Sequence, residues 1–306
     1  MSFFVTLTAV AIMLLYAVPG FLLVKTRLIN ESHIPSFSKL LMYVCQPCIT
    51  VYSLRQMEYS PENFKNIMIC LAITLLLQLV MIGVLFVLFK KRRNDIIWRI
   101  INLASVLANC AFLGIPILEA LLPEHPEALA YSSVFGLSMS LIGWTVGMYI
   151  ISLNRSYIKP KKIFLNPAFI GFAIALTMYL TELTLPKQLE DMITLLGRMS
   201  TPLCMMIMGM RLATVKIRDI FCDARQYISV VLKQIFFPLF AFALLYYLPI
   251  SEILKQSVII LCACPAASMV QNFAELVGKG NDKAANMVLL GTITSVITVP
   301  LICLIL

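Results

Sequence analysis

The side chains best suited to gripping a small polar solute are Asn109, in one apolar run, and Ser268, Gln271 and Asn272, in another. Amides and hydroxyls can donate to a carboxylate or accept from a cation without burying a charge. Hydrogen bonding between helices is the other use such groups find in apolar surroundings. A second pair, Gln46 beside Pro47 and Thr201 beside Pro202, is spaced by 155 residues and is placed either to line an opposite wall or to kink its helices for purely structural reasons. Gly114, Pro116 and Pro265 fall in the same two runs as the first set. A proline there removes a backbone donor and clashes with the preceding turn.

Covalent and metal chemistry lack their parts. His33 and His125 fall in connections on opposite faces, and the cysteines are scattered through apolar stretches. Cys45-Gln46-Pro47-Cys48 matches C-x-x-C without the strand and helix context of a redox motif. No Asp, Glu or His set converges to supply a nucleophile and base, and no G-x-x-x-x-G-K-[ST] loop is present. Neither an enzyme nor a cofactor or metal is expected.

The elements that must position these groups follow from composition. Of 306 residues, 60% are hydrophobic and 13% charged, far from the even mixture of a soluble domain. A bilayer crossing needs about 20 apolar residues. Ten such runs are present, at 3–24, 36–55, 66–89, 98–122, 127–151, 164–184, 191–213, 227–248, 254–277 and 284–306. They are called spans 1 to 10 below. No Lys or Arg precedes Phe3 and no small-residue cleavage site follows, so the first run is expected to stay in place.

Eighteen of the 24 Lys and Arg residues, Lys159 among them, fall in alternate connections or at the span ends beside them, against four at the others. By the positive-inside rule this places the basic loops in the cytoplasm and both termini outside. The net charge of +9 is therefore a topology signal and does not point to nucleic acid. Arg198, inside span 7, is placed either to attract an anion or to snorkel to the outer interface. Lys233, near one end of span 8, is expected to snorkel. Glu119 and Glu275, at the ends of spans 4 and 9, read as interface residues, and no carboxylate occupies the centre of a span.

The 119–128 and 275–284 segments match at both ends at an offset of 156 residues, which also lays spans 1–5 over 6–10. Five is an odd number, so the second copy must start on the opposite side of the membrane. An inverted repeat is expected, with units 1–153 and 164–306, and with spans 4 and 9 broken near mid-membrane at their prolines. Irregular backbone at that depth must be covered by protein or line a wet cavity. Half-helix N-termini there suit an anionic group.

Three stretches carry a family resemblance: Asn109-Cys-Ala-Phe-Leu-Gly-Ile-Pro-Ile-Leu118, Asn166-Pro-Ala-Phe-Ile-Gly171, and the run from Pro265 to Leu301. In this order the chain resembles the auxin efflux carriers, bacterial relatives of the plant PIN carriers. The resemblance implies an all-α integral membrane protein of ten helices, with crossed, broken helices 4 and 9, the fold shared with the bile-acid symporters. It implies a scaffold of helices 1, 2, 6 and 7, a transport domain of helices 3–5 and 8–10, and elevator-like alternating access. It places Asn109 on the carboxylate-contacting asparagine, and Pro116 and Pro265 on the crossover positions. Only a short loop, 152–163, stands where the plant proteins carry a long one, so a small metabolite carboxylate is expected as substrate, with proton or sodium coupling open and a homodimer compatible. A sodium-coupled carrier of the bile-acid type is the alternative, and a channel would need a continuous polar lining.

Overall fold

The computed structural model describes residues 3–158 and 160–306; Lys159 lies outside them. The described residues form helices joined by short turns, and their one extended feature is an isolated backbone bridge. Six stretches are long and apolar enough to cross a membrane: Phe3–Lys25, Pro61–Leu88, Glu127–Ser152, Lys187–Thr214, Ala224–Leu245 and Asn281–Cys303. The rest of the apolar sequence is helical too. Residues 34–55 run continuously through a π turn, Pro167–Leu180 forms one helix, and 96–121 and 252–277 are each interrupted. An all-helical solution satisfies backbone groups within each segment, which hydrocarbon surroundings require.

Local sequence sets the helix starts. Ser60 caps Pro61–Leu88 by accepting from Asn63 N at 3.0 Å, and Asn166 caps Pro167–Leu180 by accepting from Ala168 N at 3.0 Å. In both, proline occupies the first turn, where no donor is lost. The Asn166-Pro167 pair is thus a helix-starting device. Three of the four π turns, Leu41–Cys45, Cys110–Gly114 and Leu232–Phe236, end two residues before a proline. A widened turn there relieves the clash of the proline ring with the carbonyl behind it.

Glycine sets how closely the helices approach. A Cβ on Gly20 would collide with the Met206 carbonyl, and one on Gly209 with the Ala17 carbonyl. The helices at Ala17–Lys25 and Ser200–Thr214 therefore cross with their backbones touching. Gly171 rests on Pro47 and Gly197 on Cys48 and Ile49, locking the 34–55 helix against Pro167–Leu180 and Lys187–Arg198. Lipid tails are as apolar as Leu, so helices in a membrane associate through such small-residue packing.

At one end of the molecule, Asp223 joins three segments. It caps Ala224–Val231 and pairs with Arg225 at 3.0 Å and Lys283 at 2.9 Å, while Arg225 reaches Asp95 at 4.0 Å. Hydrogen bonds from Arg225, then Lys283, hold the Asp223 carboxyl well below the usual carboxylate range.

Gly209→Leu, which must push two backbones apart, is expected to destabilise by roughly 3 kcal/mol, the upper end for overpacking. Gly83→Leu, whose added Cβ meets nothing within 4 Å, is expected not to lower the thermal melt. Because folding depresses its pKa, Asp223 contributes stability above the unfolded carboxylate value of about 3.9, and this is lost as pH falls through the lower folded value. The melting temperature of Asp223→Asn should accordingly fall less steeply below pH 4 than that of the parent.

Candidate substrate site

The two interrupted segments meet at their interruptions. Ile96–Ala104 ends at Ser105, and helix resumes only at Cys110; Glu252–Ala263 ends at Cys264 and resumes at Met269. Between them Ala108 and Ala266 form an antiparallel bridge, with Asn109 N donating to Pro265 O at 2.8 Å and Ala267 N donating to Leu107 O at 2.9 Å. Each break thus supplies the partners the other lacks. Pro265 fits because it needs only to accept, and Cys264 before it takes the extended conformation that proline imposes on its predecessor. Ala108 is fully buried and Ala266 nearly so.

The expectation that proline causes both breaks needs correction. Pro116 lies inside the first turn of Ile115–Leu121, after the π turn, and the break itself is at 105–109. Proline is tolerated in a first turn because the donor it lacks has no acceptor there. Gly114 also has a packing role: a Cβ there would press on the Leu261 side chain at 2.6 Å.

Of the expected site residues, Asn109, Gly114 and Pro265 gather at the crossing. The Asn109 side chain meets the Cys204 thiol of Ser200–Thr214, and its carbonyl accepts from Gly114 N at 3.1 Å. Ser268 stands at the N-cap of Met269–Val277, partly exposed and with no capping bond from its side chain. Gln271 donates to Glu275 Oε1 at 3.0 Å, and Asn272 Nδ2 lies 3.6 Å from Met42 Sδ. Gln46 and Thr201 open the helices Gln46–Arg55 and Ser200–Thr214, both of which pack against the Cys110–Gly114 turn. Asn109 and Gln271 are 6% and 5% exposed, so the crossing is closed in this conformation.

Sequence reasoning missed the charged partners. Arg198 reaches Glu119 at 3.3 Å and the Tyr52 hydroxyl at 3.0 Å, and Tyr52 itself donates to Glu119 at 3.0 Å. Arg211 lies 3.7 Å from Glu275. Both arginines stand on Lys187–Thr214, 13 residues or about 20 Å apart, and the two glutamates end the second halves of the two broken segments. One of the two matched ends at the 156-residue offset is this same glutamate pair, and that correspondence was the available clue.

Lys233 does not snorkel. It is 1% exposed and donates from Nζ to Cys262 O at 2.7 Å, beside the Phe237 ring at 4.8 Å. The π turn Leu232–Phe236 turns both Lys233 and Gln234 inward.

The bridge is testable through its donors. Ala267→Pro removes the amide that serves Leu107 O and leaves a buried carbonyl unpaired, at about 1–3 kcal/mol before any backbone strain. Pro265→Ala keeps the accepting carbonyl. A clear drop in melting temperature for the first, and a much smaller one for the second, is the expected outcome.

Residues 5–164 and 152–303 match the model of a family described as membrane transport protein. Among curated proteins none matches the chain. With matched segments running over nearly its whole length, and the paired breaks at its centre, the chain belongs to this family of membrane transport proteins, that of the auxin efflux carriers.

Proposed function

We propose that this transporter is a secondary carrier for a small organic anion, built from ten spans in two inverted five-helix repeats, 1–153 and 164–306. The observation that carries the reading is the reciprocal bridge between two helix breaks with Asn109 beside it. Discontinuous helices at mid-membrane are where carriers of this construction bind solutes. The contacts support the repeat. Phe3–Lys25 packs on Ser200–Thr214, and Pro167–Leu180 on Gln46–Arg55; exchanging the two halves converts one pair into the other.

The carboxylate is held by Asn109 and the half-helix N-termini at the crossing, with Ser268, Gln271 and Asn272 on one flank and Gln46 and Thr201 on the scaffold side. Spans 1, 2, 6 and 7 stand still, while spans 3–5 and 8–10 carry the solute past them. Asn109 is released for this by giving up a thiol, a weak partner. The orientation that fits the basic loops has both termini outside a bacterial inner membrane. A sodium-coupled symporter of the bile-acid type is the second reading, since carbonyls at broken helices can bind Na⁺.

The test is uptake of labelled malonate, malate and a monocarboxylate into proteoliposomes, with and without imposed pH and sodium gradients. Saturable uptake is expected. Asn109→Ala is expected to raise the half-saturation concentration roughly tenfold or more, the loss of one hydrogen bond to a charged group. An unchanged affinity and rate in that variant would remove Asn109 from the site, and uptake that requires sodium would favour the symporter.

A further inference from the structure

The first half of the second broken segment, Glu252–Ala263, ends in buried carbonyls that must find partners. Cys264 N serves Ile260 O at 3.1 Å and Leu261 O at 3.3 Å. The next carbonyl, Cys262 O, is served by the Lys233 ammonium at 2.7 Å. A helix C-terminus carries partial negative charge, and carbonyls that end a broken helix inside a membrane are a place where carriers hold a cation.

The ammonium has the surroundings of a bound ion. Besides the carbonyl it faces the ring of Phe237, and no carboxylate pairs with it among the described residues. Neighbouring Gln234 extends the grip: it donates to Gly291 O and accepts from Thr294 and Thr298. Gly291 in turn lies against Pro265 and Ala266, the residues of the bridge. A neutral amide or hydroxyl would satisfy one carbonyl without burying a charge, so a buried lysine in that role singles the position out.

We propose that Lys233 is the resident cation of the crossing, a tethered ammonium standing where a mobile sodium ion would otherwise bind the end of the broken helix. It is a positioning residue, holding Cys262 and hence the bridge in place without touching the solute. The inference rests on the crossing as the transport site, and it deepens that reading by making solute binding independent of sodium.

The test is thermal melting of the purified protein in detergent without substrate, so a failure of the carboxylate reading leaves it intact. The parent is expected to melt at the same temperature in 150 mM choline, sodium or ethylammonium chloride. Lys233→Ser, which vacates the site, is expected to melt lower in choline and to regain at least about 3 °C in sodium or ethylammonium. Lys233→Met, which fills the site without charge, should melt lower than the parent and respond to neither cation. Stabilisation of the parent by sodium over choline would overturn the proposal, as would a Lys233→Met protein as stable as the parent, or a folded Lys233→Ser protein that neither cation stabilises. If Lys233→Ser does not fold, the parent and Lys233→Met decide the matter.

Discussion

Two main-chain hydrogen bonds between helix breaks, Asn109 N to Pro265 O and Ala267 N to Leu107 O, are the constraint on which the rest of the structure depends. An interrupted helix inside hydrocarbon leaves amides and carbonyls that water cannot serve. One break alone would leave several such groups exposed at a cost of several kcal/mol each. Two breaks laid across one another supply each other's donors and acceptors, and neighbouring groups take the remainder. Gly114 N reaches Asn109 O, Ser132 Oγ reaches Cys110 O, and Lys233 reaches Cys262 O.

The surrounding helices bring that crossing into register. Backbone contact at Gly20 and Gly209, and the seating of Gly171 on Pro47, fix the helices that flank the Cys110–Gly114 turn. Polar contacts between these flanking helices and the broken segments are few. Asn109 meets Cys204, Asn272 meets Met42, Tyr52 donates to Glu119, and Glu119 and Glu275 each meet an arginine of Lys187–Thr214. The Arg198–Glu119 pair is largely exposed, and pairs of that kind contribute little, typically about 0–1 kcal/mol.

Much of the fold was legible in the residues because lipid imposes a length and a polarity on every crossing segment. The apolar runs fall on helices, and the two interruptions fall within the runs that carry Asn109 and Pro265. The cause of the first interruption was not legible, since a proline seven residues beyond Asn109 belongs to the first turn of the next helix and breaks nothing. Lys233 was misplaced for a different reason. Depth along a helix suggested an outward course, but the π turn that contains it alters which side chains face inward, and an ordinary helical period does not register that change. The Arg198, Tyr52 and Glu119 cluster joins three distant parts of the chain, which no local pattern reports. The role of the C-x-x-C match became readable only in three dimensions, where its proline is the seat of Gly171.

The frame at the crossing is made of main-chain groups, and this has an evolutionary consequence. The bridge bonds use no side-chain atom, and Ser268 adds no capping bond to the helix it precedes. The residues bordering the crossing can therefore be exchanged without unmaking it, provided that position 267 keeps its amide and the residue at 114 stays small. Asn109, Ser268 and Asn272, the proposed solute contacts, can change while the architecture is held by the peptide backbone, whose hydrogen bonds most point substitutions leave in place. One frame can thereby serve solutes of many shapes.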